Sequence, residues 1–199
     1  MLNFYSLGAV GYATKIAILF GDTPGYNWEL KVGNLNGQTA STNPYDKVNK
    51  LSVTTFDTKS WPDATDLSFA RTILHESFHA YLSSFFANDR SGFIKTYPEQ
   101  VSDYAIYSNW NIVHHEDFAR SIVRQIGNDL ENYGLLKGYS YSSQFYQDLA
   151  WGGLEGTTTF KNLPEGDRNR IHDVVNIELI GKDFQGIIKN QNGTKINCP

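Results

Sequence analysis

Cysteine is almost missing from this sequence. The only one among 199 residues is Cys198, so no intrachain disulfide can form and a cysteine-built zinc cluster is excluded. Charge is scarce too: Asp, Glu, Lys and Arg together make up 19 %, below the usual quarter. The 17 basic residues do not outnumber the 21 acidic ones, the net charge is −4, and no basic patch is visible, which argues against general nucleic-acid binding. A membrane-spanning run is also lacking. Within the first twenty residues Lys15 interrupts the apolar stretch, no basic region precedes it and no small-residue cleavage site follows. Residues 1–27 therefore read as a helix or arm packed on the domain, and stable membrane insertion is not expected. Export, where it occurs, would depend on a larger protein or carrier, and localisation is otherwise open. Repeats and low-complexity tracts are absent, so the length fits one domain, expected over 28–199.

What is abundant is aromatic bulk, 14 % of the chain, within a hydrophobic content of 40 % that suffices for a core. Trp28–Val32 reads as a short strand, and Gly33–Pro44 as Gly/Asn-rich turn chemistry. Leu51–Phe56 alternates and is β-branched, which predicts a second strand. After Trp61-Pro62-Asp63, Thr65 or Asp66 can cap a helix running to about Phe86. Further helices are predicted over about 98–107, 111–130, 141–150 and 167–180. The order gives an α+β fold: a small N-terminal β-sheet, one central helix and a mostly helical C-terminal half.

Inside the helix from Asp66 stands His75-Glu76-Ser77-Phe78-His79, an H-E-x-x-H motif. Residues i and i+4 lie about 40° apart on a helix, so both imidazoles can reach one metal ion. Glu76, about 100° from His75, can reach a water on that ion. Two histidines and an open position suit a catalytic zinc, which lowers the pKa of its water to roughly 7 while the glutamate takes the proton. The bland alternative is a buried helix whose histidines bond to backbone or carboxylate. It would have to satisfy three polar side chains at about 1–3 kcal/mol for each one left unpaired.

Two protein ligands leave a zinc site incomplete. Leu82 and Phe85 occupy the positions where the metzincin pattern has its glycine and third histidine. A later helix must then supply the ligand, and the candidates are His114, His115, Glu99, Asp103, Glu116 and Asp117. In the helix near 111–130, Phe118, Ala119, Ile122 and Ile126 all lie within about 60° of His115, whereas His114 sits about 100° aside. Phase thus selects His115, with His114, Glu116 or Asp117 left to fix a ring tautomer. His172 has no spacing partner and reads as part of a solvated helix.

Arg71-Thr72-Ile73-Leu74-His75-Glu76-Ser77-Phe78-His79-Ala80-Tyr81-Leu82 resembles the active-site helix of the SprT-like zincins. The likeness is closer to the zincin-like metallopeptidase domains at the C-terminal ends of Bacteroidetes secreted and RHS-type polymorphic-toxin proteins. Their second motif, His-x-x-Met-Ala, is similar to His115-Glu116-Asp117-Phe118-Ala119, with Phe for Met. Tyr146–Leu154 with Trp151-Gly152-Gly153-Leu154, then Thr157 and Phe160, is a third match, and Asn36-Gly37-Gln38-Thr39 is similar to a turn between the family's strands. The resemblance implies one Zn2+ per chain held by His75, His79 and His115, with Glu76 as general base. The SprT pattern would select His114 instead. It further implies a peptidase acting on protein or peptide, as the toxin or effector domain of a larger secreted bacterial protein. The two glycines after Trp151 could allow close backbone approach to substrate or to the metal helix, or simply cap a helix. The strand at 51–56 could pair with an extended substrate. Competing readings are a zinc-binding pseudoenzyme or binding module, and a hydrolase of a non-protein amide.

Overall fold

The computed structural model describes residues 11–87 and 115–196. The elements are α1 (Tyr12–Asp22), β1 (Asn27–Val32), β2 (Ala40–Thr42), β3 (Leu51–Phe56), α2 (Asp66–Phe86), α3 (His115–Leu136), α4 (Ser143–Leu149), α5 (Thr158–Lys161) and α6 (Glu165–Ile180). The fold is α+β, and among the described residues the strands lie in the N-terminal third. Predicted strands at 28–32 and 51–56 and the helix from Asp66 to Phe86 are present. The helix expected over 111–130 runs from His115 to Leu136, and the last one starts at Glu165 rather than 167. The helix expected over 98–107 lies outside the described residues. No helix among the described residues is long and apolar enough to cross a membrane.

The stretch Gly33–Pro44 is not turn alone. It contains β2, whose Ala40, Ser41 and Thr42 pair antiparallel with Phe56, Thr55 and Thr54. Three residues are too few to display an alternation, so tertiary pairing rather than local pattern makes this strand. The sheet order is β1-β3-β2, with β1 parallel to β3. β3 is therefore central, bonded on both sides, and cannot take an added strand. The two edges belong to β1, which touches α1, and β2, which touches α2.

α2 is enclosed from two directions. On one side Leu67, Phe78 and Tyr81 join Tyr12, Ile16 and Leu19 of α1, Val123, Ile126 and Leu130 of α3, Tyr146 and Leu149 of α4, and Ile171 and Val175 of α6 in the main core. On the other, Phe56, Trp61 and Ala64 form a smaller cluster against Phe69 and Ile73. A helix covered this way needs no single apolar stripe, and its pattern alone points nowhere. The N-terminal segment is thus part of the core from Tyr12 onward.

The start of α2 is fixed by polar contacts. Thr65 caps it: its Oγ1 accepts from Ser68 N at 3.2 Å and donates to Glu178 Oε2 at 2.8 Å. The fully buried Glu178 carboxylate also accepts from the backbone N–H groups of Asn192 (2.8 Å) and Gly193 (3.0 Å). Asp66 accepts from the hydroxyls of Tyr133 and Tyr139 and from Thr194 N. The chain after α6 is thereby tied to the first turn of the central helix. Thr65→Ala removes a cap and a partner of a buried carboxylate. The expected loss is about 1–2 kcal/mol in urea unfolding, with Thr65→Ser close to the parent.

Candidate metal centre

His75, Glu76 and His79 lie mid-helix on α2, and one ligand atom from each falls within 4.8 Å of the others. His75 and Glu76 are 7 % and 5 % exposed, and His79 is half-buried. The two imidazole centroids are 5.0 Å apart with their planes at 63°. This group could hold a metal ion. The donor chemistry fits, because two neutral imidazoles with a carboxylate alongside form the protein half of a catalytic site with open positions. His115 is the first residue of α3, but its side chain lies outside the described residues, as do His114, Glu99, Asp103, Glu116 and Asp117. His172 is on a helix and half-buried: its ring lies 5.2 Å from that of Phe160 and stacks on the exposed Phe184 at 5.1 Å, between α5, α6 and the segment after it.

The motif faces a cavity of about 490 Å3. One wall is β2 with the turn before it, Gly37 to Thr42. The floor is Arg71, Thr72, His75, Glu76 and His79, and Gly153 closes the far side. The turn is set by Asn36 and Gly37, both at positive φ (54° and 99°). No strand among the described residues pairs with the outer edge of β2.

The two glycines after Trp151 bring the backbone close to the helix that carries the motif, whereas the C-cap of α4 is Ala150. They follow the end of α4 in a tight turn, Leu154 N donating to Trp151 O at 2.8 Å. They also let that turn lie directly on the site. A Cβ on Gly153 would stand 2.8 Å from His75 Nδ1, and one on Gly152 2.8 Å from Arg71 Nε. Gly153 has φ +85°, a conformation that side chains resist. The turn is anchored through Asp148 at the end of α4, which accepts from Arg170 Nε (2.7 Å) and Nη2 (3.1 Å) on α6.

A hydrogen-bonded chain reaches Glu76 from the sheet. Trp28 Nε1 donates to Thr54 Oγ1 at 2.7 Å, Thr54 and Thr42 hydroxyls meet at 2.6 Å, and Thr42 Oγ1 donates to Glu76 Oε2 at 2.6 Å. An indole N–H can only donate and a carboxylate only accept, so with ionised Glu76 both hydroxyls point the same way along the chain. Thr42 and Thr54 are register partners on β2 and β3. Burial pushes the Glu76 carboxyl up from its ordinary pKa, while the Thr42 hydroxyl and the Arg71 guanidinium pull it back. Burial drives both histidines the other way: His75 falls well below the usual imidazole value, aided by His79 and Arg71, and His79 falls to about 3. At neutral pH both rings are uncharged and carry a lone pair for a metal.

Arg71, Thr42, Thr54 and Trp28 are site residues that the sequence did not single out. Arg71 had a readable signal, an arginine one helical turn before the first histidine. The threonines had none, because their juxtaposition depends on strand register. No protein-family model, curated protein or solved structure matches the chain.

Two predictions follow from this geometry. Without metal, the unfolded chain takes up protons at His75 and His79 below about pH 6.5 while the folded chain does not. Stability should be full above that pH and be lost as pH falls toward about 3, and His79→Phe should flatten the decline in urea midpoints measured across this range. Gly153→Ala should cost about 1–3 kcal/mol and weaken zinc affinity about tenfold in a competition titration, because the added methyl displaces the His75 ring.

Proposed function

We propose that this chain is a zincin-type, zinc-dependent peptidase, related to the metallopeptidase domains of bacterial polymorphic toxins. The observation that carries the reading is the geometry around Glu76. A carboxylate beside two neutral imidazoles, held by a threonine hydroxyl and facing an open cleft, is arranged to accept a proton. A structural metal site has no use for such a group.

His75 and His79 would hold the ion through ring nitrogens, with His115 as third ligand. The chemistry that a zinc ion supplies in such a position is polarisation of the scissile carbonyl and a lowered pKa of water. Glu76 takes a proton from the attacking water at a carboxylate oxygen and returns it to the departing amine nitrogen. Its raised pKa makes the carboxylate a better acceptor for the first of these transfers. Thr42 fixes the carboxylate plane by bonding Oε2, which leaves Oε1 for the water. An extended peptide pairs with the outer edge of β2, the strand that lines the cleft, through main-chain hydrogen bonds.

Metal analysis by mass spectrometry should find one zinc per chain. Glu76→Gln should keep that zinc and lose peptide hydrolysis, and retained turnover would reject the general base. Thr42→Val should keep the zinc, slow hydrolysis about tenfold and move the acidic limb of the pH–rate profile upward, since it removes a bond that lowers the Glu76 pKa.

A further inference from the structure

Arg71 is a second chemical feature of the cleft. It lies one helical turn before His75, lines the cavity floor and is 6 % exposed. A guanidinium stays charged at any ordinary pH and offers five N–H donors. Among the described residues its one hydrogen bond is long, Nη1 to Gly152 O at 3.4 Å, and its Nε is buried with no acceptor. No carboxylate among the described residues lies within 4 Å of it, and Glu155 and Glu76 act on it only from farther away. The same protein pairs Arg170 with Asp148 through two contacts, at 2.7 and 3.1 Å, although Arg170 is far more exposed. A buried arginine serving the fold would be expected to have at least that much. Instead Arg71 is held rigid: the Gly152 backbone lies so close that a Cβ there would stand 2.8 Å from both Cζ and Nε. A charge that is desolvated, oriented and left with unused donors in a substrate cleft is a preformed anion site.

The distance from the metal-binding residues gives the scale. Four residues along a helix is about 6 Å, and neighbouring Cα atoms of a peptide are about 3.8 Å apart. An anion on Arg71 therefore belongs to a residue flanking the scissile bond.

We propose that Arg71 binds a carboxylate of the substrate next to the cleaved bond, which makes the preferred substrate a peptide with an acidic residue or a free C-terminus at that point. This rests on the peptidase reading for its catalytic arm, but the anion site can be tested without metal.

The side-chain Nε–Hε resonances of the full chain are followed by NMR during titration with succinate, and separately with inorganic phosphate. The Arg71 resonance is identified as the one lost in Arg71→Lys. Succinate should shift it saturably in the metal-free protein. Arg71→Lys, which keeps the charge but not the planar fork, should bind about tenfold more weakly. Arg71→Met should not bind. With zinc-loaded protein, peptide pairs differing only as Glu against Gln, or free acid against C-terminal amide, distinguish the two sources of the carboxylate. The acidic member of one pair should be cleaved with at least about tenfold higher kcat/KM, a preference that Arg71→Met erases. If the parent shows no succinate shift, or phosphate binds at least tenfold tighter, the carboxylate assignment is overturned. Hydrolysis without any acidic preference also overturns it and leaves the peptidase reading standing. Succinate binding at Arg71 in a protein that takes up no zinc and cleaves nothing keeps the anion site and removes the peptidase. Should Arg71→Met fail to fold, the parent titration and Arg71→Lys still decide.

Discussion

Four ionisable side chains, Arg71, His75, Glu76 and His79, occupy two successive turns of one helix that is otherwise packed in apolar surface. Desolvating any one of them without a partner is costly, and desolvating a cation, a carboxylate and two imidazoles together is far more so. Most of what surrounds α2 on that side can be understood as an answer to this constraint. The sheet presents hydroxyls rather than methyl groups, and the α4–α5 connection presents bare backbone. The four groups also offset one another. The guanidinium favours the ionised form of Glu76, Glu76 favours the charged form of Arg71, and the imidazoles become neutral. Burial is the largest influence on all four groups, and the charges of Arg71 and Glu76 partly offset it for each other.

The hydroxyls come from an unusual choice of face. In β3 the inward residues are Ser52, Thr54 and Phe56, while Leu51 and Val53 are only half-buried. A strand packed purely for stability would turn Leu51 and Val53 inward, and a one-residue shift in register would do so. The observed register places Thr54 opposite Thr42 and within reach of the Trp28 indole, and that is the arrangement that delivers a directed hydrogen bond to Glu76. The sheet has given up apolar burial for polar continuity. This fits the smallness of its cluster, Phe56, Trp61 and Ala64, beside the many-membered core on the other side of α2.

The parts of the molecule legible in the sequence are those written in local pattern. β3 and α2 could be bounded from alternation, capping and breakers, and Thr65 was a readable cap. The H-E-x-x-H spacing by itself puts His75 and His79 about 40° apart on the helix, with Glu76 about 100° to the side. What was not legible depends on contacts between distant residues. β2 is three residues long and exists because β3 lies beside it. The α5 turn is a single turn capped by Thr157, too short for periodicity to register. His172, polar by type, lies between Phe160 and Phe184 because an aromatic ring with one polar edge packs well at a half-buried seam. Arg71 was visible as a residue, but its significance lies in the acceptors it lacks, which only the folded chain reveals.

The division of labour across α2 also explains why the chain beyond α6 matters. The side of the helix that carries the candidate site packs on a short sheet and a glycine turn. Position also comes from the opposite side and from the ends. The apolar contacts of α1, α3, α4 and α6 fix the helix sideways. They do not fix it along its own axis, because apolar contacts are non-directional and tolerate sliding. Directional contacts at the first turn do that. Thr65 bonds Glu178, Asp66 N donates to Thr194 O at 2.9 Å, and Asp66 receives two tyrosine hydroxyls. A shift of one residue along α2 would break all of these at once and would also carry Glu76 away from Thr42. The axial register of the helix, and with it the meeting of carboxylate and hydroxyl, is thus set some three turns away by the Glu178 carboxylate, which lies outside the candidate site.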